Sequence, residues 1–249
     1  MEVEMLDFIL VPLGLMIMAT YHLWLLHEII KKPAKTIVGI HAINRRLWVQ
    51  AMMEFELSSE TQMNLIGQDT PKNGVLAVQT LRNNIMASTL LASTAITLSS
   101  VIAVLMTSRG GSRALGLVFG DQSQVGSSLK FFSILVCFLL AFLLNVQSIR
   151  YYSHASILIN VPFKKMASPY LTADYVGRTV NRGGYFWSLG LRAFYFSLPL
   201  FLWIFGPIPM LCSCLALVFL FYFLDFTLDF GTISDRDCVF TNSDEEQAS

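Results

Sequence analysis

Hydrophobic residues in this chain are concentrated in four uncharged runs that polar stretches separate. The runs cover residues 8–27, 83–106, 131–149 and 193–224. Each is close to or longer than the ~20 consecutive apolar residues that an α-helix needs to cross the hydrocarbon core of a bilayer. The pattern therefore predicts an all-α fold: an integral membrane helical bundle with four transmembrane helices.

The fourth run is longer than one crossing requires. Its 32 residues would form a helix of roughly 48 Å, whereas the hydrocarbon core is about 30 Å thick. Pro199 and the segment 206–209, which contains two prolines, predict a kink or a break, because proline removes a backbone donor and clashes with the preceding turn. A split into two crossings is disfavoured, since 193–205 alone is too short. Asp225, just beyond the run, is expected to face solvent.

Residues 36–57, between the first two runs, have the pattern of an amphipathic helix. Apolar residues recur on one side at Ile37, Ile40, Ile43, Leu47, Ala51 and Phe55, and Asn44, Arg45, Gln50 and Glu54 share the other side. Such a helix either lies on the cytoplasmic surface of the membrane, with Trp48 near the headgroups, or packs against its own bundle. The pattern supports both interpretations equally.

Span two carries a stripe of small or weakly polar residues spaced by three or four. These residues are Asn84, Ser88, Ala92, Ala95, Ser99 and Ala103. A stripe of this kind lets neighbouring helices approach closely in lipid, so span two is predicted to be the central packing helix; a pore-lining face is the alternative. Farther along, a short cytoplasmic helix is expected over 172–181, ended by Gly183 and Gly184.

Positive charge is distributed unevenly and predicts an orientation. Of the 17 Lys and Arg residues, 13 fall in the stretches 28–82 and 150–192, which alternate with the apolar runs. Because Lys and Arg that flank a span are retained in the cytosol, both stretches are predicted to be cytoplasmic and both termini non-cytosolic, in the plasma membrane or an endomembrane. The net charge of zero gives no indication of a nucleic-acid partner.

Composition is typical of one membrane domain. Apolar residues make up 54% of the chain and charged residues 14%, and the mean hydropathy is +0.58, whereas soluble domains carry about 25% charged residues. We expect a single transmembrane domain over 1–230 and a disordered acidic tail over 231–249. Three of the four cysteines lie in apolar runs, so we expect no disulfide framework, metal site or cofactor.

The predicted topology brings polar residues from different spans to the cytoplasmic side. The candidate ligand-binding residues are Arg82, Asn83, Asn84, Arg150, His154 and Arg192. Ionisable and amide groups at membrane depth are costly unless they pair with each other or with a ligand. Arg150 and Arg192 have few acidic neighbours in sequence and predict a basic pocket for phosphate or carboxylate, whereas Glu28 and Arg82 are expected to form a structural ion pair. A purely structural network explains the same pattern.

Motifs typical of enzymes do not occur in the sequence. There is no phosphate-binding loop, dinucleotide-binding glycine pattern, HExxH or Gly-x-Ser-x-Gly, so the sequence favours a protein that is not an enzyme. The alternative is an intramembrane enzyme that uses His22, His154 or Glu28 as an acid or base.

Three strings in the chain resemble a known family. They are TLRNNIMASTLLA at 80–92, SIRYYSH at 148–154 and GLRAFYFSLPLFLWIFGP at 190–207. Together they resemble the plant and bacterial membrane proteins known as the domain of unknown function 599 family, over roughly residues 5–230. The resemblance implies a multi-pass membrane protein and places all six candidate residues in the family's strings. It implies no activity.

Two functions are consistent with these observations. The first is binding or transport of a small anionic solute or lipid headgroup through a polar pocket on the cytoplasmic side, in a homo-oligomer because four helices barely enclose a path. The second is a membrane scaffold that transports nothing and recruits cytosolic partners through its inner loops and the helix at 36–57. In both cases the lipid bilayer is a partner.

Overall fold

The computed structural model describes residues 2–66, 72–108, 124–160 and 173–226. In these ranges the chain forms α1 Glu2–Lys31, a 3₁₀ turn at Pro33–Lys35, α2 Ile37–Ile66, α3 Lys72–Ser108, α4 Gln124–Leu158, α5 Ala173–Leu202 and α6 Pro207–Asp225. The predicted all-α fold is confirmed. The acidic tail predicted over 231–249 lies outside the described residues.

Four of these helices are long and apolar enough to cross a membrane. Their candidate spans are Leu6–Lys31, Gly74–Thr107, Val125–Leu158 and Pro207–Asp225. The chain is an integral, multi-pass membrane protein, as the sequence predicted. The first three spans match the predicted runs, but the fourth is only α6.

The described helices lie side by side in the order α3, α4, α5, α6, α1. Helix α2 packs across one end of this bundle, mainly against α5. Neighbours α4 and α5 are antiparallel, because Tyr152 lies against Gly183 whereas Asn145, nearer the start of α4, lies against Gly190. Helices α1 and α6 are parallel, since Gly14 lies against Cys214 and the two helices also meet near their last turns. Five helices therefore pass alongside each other, of which α5 is the least apolar.

One end of the bundle, along the direction of the helix axes, carries most of the positive charge. Helices α1, α4 and α6 end there, α3 and α5 begin there, and α2 lies there. We call it the basic end of the bundle, and we call the other the opposite end. The basic residues that the structure describes at this end are Lys31, Lys32, Lys35, Arg45, Arg46, Arg82, Arg150, Arg178, Arg182 and Arg192. The interior divides accordingly into an apolar cluster between the spanning helices and a second cluster at the basic end, built from α2, α3, α4 and α5.

The fourth apolar run is divided between two helices, so the predicted break at 206–209 is confirmed, whereas the predicted single crossing over 193–224 is wrong. Helix α5 continues through Pro199 and ends at Leu202, and its last carbonyls accept bonds from the turn that follows, for example from the amide of Trp203 to Pro199 at 2.9 Å. Gly206 then adopts φ 152°, a conformation that favours glycine, and Pro207 starts α6. The end of α5 takes up 193–202 of this run, whereas its first half packs in the basic-end cluster through Val176 and Val180.

The turn between α5 and α6 determines at which end of the bundle α6 finishes. Trp203 donates a hydrogen bond to Oδ1 of Asp7 at 3.3 Å, which places the end of α5 at the opposite end, beside the start of α1. Phe226 forms an isolated antiparallel bridge with Thr36, which places the end of α6 at the basic end. The described chain therefore begins at one end of the bundle and finishes at the other, whereas the sequence predicted both termini on one side.

Helix α5 begins at Ala173, next to the start predicted for the short helix, but its glycines do not end it. The end predicted for the short helix over 172–181 is wrong, because α5 runs without interruption to Leu202. Gly183 and Gly184 are buried inside the helix, where Tyr152 of α4 and Arg45 of α2 pack directly on their backbone. Here glycine serves close packing between helices rather than helix termination.

Helix α3 packs through the predicted stripe, but it is not central. Ser88, Ala92, Ala95 and Ser99 are buried, and the hydroxyl of Ser88 lies 3.2 Å from the hydroxyl of Ser148 on α4. The stripe is therefore the contact face of α3, as expected. The central position belongs to α4 and α5, since α3 lies at the edge of the row.

The predicted amphipathic helix is confirmed as α2, and it has two apolar faces. Ala42, Val49 and Met53 are buried against the bundle. Ile43 and Leu47, which belong to the predicted stripe, are 44% and 58% exposed. The helix therefore packs on its own bundle with one face and presents a different apolar face outward.

We expect cysteine labelling to show that α6 finishes on the same side of the membrane as the turn after α1. The background replaces Cys137, Cys212, Cys214 and Cys238 by serine. In sealed vesicles, a membrane-impermeant maleimide should modify Lys35→Cys and Phe226→Cys from one side and Val125→Cys, which is 79% exposed at the start of α4, from the other. Labelling of Phe226→Cys together with Val125→Cys would contradict the fold-back at 203–206.

Candidate functional site

A cleft of about 490 Å³ opens at the basic end between α2 and α3. Helix α2 contributes His41, Asn44, Arg45 and Trp48 to its wall, and α3 contributes Thr80 and Asn84. We call it the cationic cleft, because Arg45 is the charged residue that lines it. It is large enough for a small molecule, since ligand pockets have volumes of ~300–1,000 Å³.

Arg45 is positioned by one face of α5. Gly177, Asn181 and Gly184 are spaced i, i+4, i+7, which places them on the same side of the helix. The glycines let α2 approach, so that Gly177 meets Arg46 and Gly184 meets the guanidinium of Arg45. Asn181 ties the two helices together.

The amide of Asn181 bonds to both the backbone and the side chain of α2. Its Nδ2 donates to the carbonyl oxygen of Ala42 at 3.0 Å, and its Oδ1 accepts a hydrogen bond from Nε of Arg45 at 2.9 Å. The guanidinium also lies 5.9 Å from the ring centre of Tyr185, a distance at which the ring face attracts a cation. Arg45 is thus held in one orientation with its outer N–H groups unused by any described residue.

The charge of Arg45 has no acidic partner in the described part of the chain. Of the described carboxylates, Asp174 pairs with Arg178 and Asp225 pairs with Arg192. Burial lowers the pKa of the Arg45 guanidinium, because removal from water disfavours the charged form. A guanidinium nevertheless stays protonated at neutral pH, so the cleft contains a partly desolvated cation that an anion would stabilise.

The other polar groups of the cationic cleft are neutral donors or donor–acceptors. Asn44, Asn84 and Thr80 lie on its walls, and Tyr152 and Trp187 lie on its floor. The indole Nε1 of Trp187 is buried and makes no hydrogen bond. The lining therefore offers hydrogen-bond donors around one positive charge, which is the arrangement that binds carboxylate or phosphate oxygens. Among the described residues no group of acidic, histidine and cysteine side chains could hold a metal ion.

The structure divides the six predicted ligand residues among several places. Arg82 and Asn83 line a separate, shallower cleft of about 530 Å³ beside Gln79 and Asn160. Asn84, the next residue, lies in the cationic cleft. The sequence therefore identified one residue of the cationic cleft and two residues of its neighbour on the other side of α3.

The two candidates on α4 are both exposed, and neither lines the cationic cleft. Arg150 points to the surface, and His154 meets the ring of Tyr175 edge-on at 6.4 Å between centres. The convergence predicted for Arg150 and Arg192 is not observed.

Arg192 is part of a buried network and not of an open pocket. Its Nη2 donates to Oδ1 of Asp225 at 2.5 Å, and the hydroxyl of Tyr21 donates to Oδ2 of the same carboxylate at 2.8 Å. The expectation that Asp225 faces solvent is wrong, because the fold-back brings it to the basic end beside α1. The predicted Glu28–Arg82 pair is not formed: among the described residues α1 and α3 are not packed neighbours.

Arg45 was not among the predicted site residues, although the sequence contains a signal for it. The spacing of Gly177, Asn181 and Gly184 marks a face of α5 that accepts a close neighbour and includes one polar residue. An arginine on the amphipathic helix is a natural partner for that residue. The signal could be used only if α5 continued past Gly183, which the sequence did not predict.

Comparison with known protein families matches residues 9–230 to the family described as "Protein of unknown function, DUF599". No curated protein and no solved structure matches the chain. The match covers both the spanning helices and the cationic cleft. The chain belongs to this family of membrane proteins of unknown function.

Proposed function

We propose that the protein binds a ligand bearing a phosphate or carboxylate group in the cationic cleft. The observation that carries this proposal is Arg45, a partly buried guanidinium fixed by Asn181 and without a carboxylate partner among the described residues. A buried charge without a partner is costly. A permanently bound or exchangeable anion would remove that cost, and the neutral donors around Arg45 would orient it.

The basic end faces the cytosol in this proposal. Its Lys and Arg residues lie beside the ends of the candidate spans, and such residues are retained on the cytosolic side during insertion. The cleft would then bind a cytosolic solute or a headgroup of the cytosolic leaflet.

Binding is better supported than conduction through one chain. Between the spanning helices the side chains of Met18, Ile134 and Met210 are completely buried, within an apolar cluster that extends from α1 to α6. This packed interior leaves the cationic cleft closed toward the opposite end. The scaffold hypothesis stays a prediction, since the inner loops 67–71 and 161–172 lie outside the described residues.

We expect Arg45→Gln to weaken anion binding about 10- to 100-fold. A hydrogen bond to a charged group contributes about 1.5–3 kcal/mol, and 1.4 kcal/mol corresponds to a factor of ten in the dissociation constant. The measurement is isothermal titration of the purified protein with inorganic phosphate, glycerol 3-phosphate and phosphatidic acid. Arg46→Gln is the matched control: it removes the same charge from the adjacent residue, which is exposed and outside the cleft, and should keep binding.

A second variant separates loss of the site from loss of the fold. Ala87→Trp adds bulk to the cleft wall at an exposed position of α3 and leaves Arg45 in place. It should block the ligand while the thermal unfolding of the free protein stays near that of the wild type. Anion binding that is equal in wild type, Arg45→Gln and Ala87→Trp would refute the proposed site.

A further inference from the structure

We propose that the ligand of the cationic cleft is an anionic phospholipid, which enters sideways from the bilayer between α2 and α3. This inference rests on the proposed function and specifies its ligand. The phosphate would bind Arg45, while the acyl chains would remain in the bilayer along α3.

The cleft lies at the boundary between the apolar and polar parts of the bundle. Asn84 and Ala87, on its α3 wall, stand at the beginning of the apolar run of that helix. Toward the basic end of α3, Arg82 lies two residues before Asn84 and Lys72 lies twelve residues before it. The phosphates of a bilayer occupy the same level as the ends of the apolar runs, so a lipid phosphate and Arg45 are at matching depth.

Tryptophan side chains support this placement. Trp48 from α2 and Trp187 from α5 both line the cleft. Trp is enriched at membrane–water interfaces because its ring is apolar and its N–H is polar.

The surfaces on both sides of the cleft mouth are apolar. On α3, Leu90 is 69% exposed, one turn beyond the cleft residue Ala87 toward the apolar run. On α2, Ile43 and Leu47 are exposed next to the cleft residues Asn44 and Trp48. A solute arriving from water would meet this apolar rim as a barrier, whereas for a lipid it is a continuous contact surface.

Size and charge fit a headgroup but not a whole lipid. A volume of about 490 Å³ accommodates a glycerol phosphate and not two acyl chains, which would stay outside against Leu90. The exposed basic residues of the basic end, among them Lys35 and Arg46, would raise the local concentration of anionic lipid. A zwitterionic lipid would gain less, because its own cation meets the positive field of the cleft.

The test compares phosphatidic acid with glycerol 3-phosphate, which carries the same headgroup without acyl chains. Binding is measured by native mass spectrometry and by thermal shift on the full chain in detergent, with phosphatidylcholine as the zwitterionic probe. The variants are Arg45→Gln, Arg46→Gln and the double variant Leu47→Gln/Leu90→Gln, which makes the apolar rim polar and keeps every charge.

We expect wild type and Arg46→Gln to bind phosphatidic acid at least about 10-fold more tightly than glycerol 3-phosphate, because only the lipid buries apolar surface. Arg45→Gln should lose both ligands, and the double variant should lose the preference for the lipid. Glycerol 3-phosphate binding as tight as phosphatidic acid and dependent on Arg45 would overturn the lipid inference and leave the anion site intact. Binding of neither ligand in an Arg45-dependent way would overturn the anion site itself.

Discussion

Asp225→Asn is expected to lower the free energy of unfolding by about 3–5 kcal/mol, the cost of breaking a buried ion pair by removing one charge. The side chains of Asp225 and Arg192 are 8% and 15% exposed, so water cannot replace the lost partner. Nη1 of Arg192 is already buried and makes no hydrogen bond with a described residue, so the guanidinium would keep mainly its contact with the ring of Phe221. The measurement is unfolding of the purified protein by titration with sodium dodecyl sulfate.

The matched control is Asp174→Asn. Asp174 and Arg178 form an exposed pair one turn apart on α5, with side chains 51% and 56% exposed. Such pairs contribute ~0–1 kcal/mol, so this variant should unfold almost like the wild type. A double variant, Arg192→Met/Asp225→Leu, should recover much of the loss, because it removes both buried charges. Equal losses for Asp225→Asn and Asp174→Asn would show that the buried network does not stabilise the fold.

The network also explains how the fold-back is held. Tyr21 of α1, Arg192 of α5 and Asp225 of α6 meet at one carboxylate, so three helices are joined where α1 and α6 finish. The guanidinium lies 5.4 Å from the ring centre of Phe221 as well. A polar cluster in this position fixes the register of α6 along α1 and α5, which apolar contacts alone specify weakly.

Three of the four spans were predictable from the sequence because each is one apolar run with polar flanks. The single crossing predicted for the fourth run is wrong for a physical reason: length and hydropathy do not distinguish one long helix from two that fold back. The sequence predicts the break at Gly206, but because 193–205 alone is too short to cross a membrane, it does not predict a second helix passing through the bundle. In the structure α5 does not depend on that segment alone, because its first half packs in the basic-end cluster through Val176 and Val180.

The sequence predicted at which level of the bundle the polar residues lie, but not which of them pair with each other. Grouping polar residues at the basic end selected Asn84, which lines the cationic cleft. It could not show that Arg192 is neutralised, because its partner Asp225 lies 33 residues later and was expected on the far side. Nor could it single out Arg45 from its neighbour Arg46, since that difference depends on which side of α2 faces α5.

Gly39→Ala is expected to destabilise the protein by about 3 kcal/mol or more, the upper part of the range for overpacking. A Cβ at position 39 would collide with the backbone carbonyl of Pro33, and a backbone atom cannot rotate away as a side chain can. That carbonyl also accepts hydrogen bonds from the amide and the hydroxyl of Thr36, both at 3.2 Å. The amide of Gly39 in turn donates to the Thr36 hydroxyl at 3.2 Å, so one methyl group disturbs the whole joint between α1 and α2.

The same joint holds the end of α6, since Thr36 is fully buried and bridges Phe226. Gly39→Ala should therefore loosen α1, α2 and α6 together, and the thermal unfolding midpoint should fall. Gly14→Ala is the control: its Cβ would meet the Sγ of Cys214 at 3.2 Å, a side chain that can shift, and alanine gains up to about 1 kcal/mol of helix propensity over glycine. If the two variants unfold at the same temperature, the joint at Thr36 is not what connects these three helices.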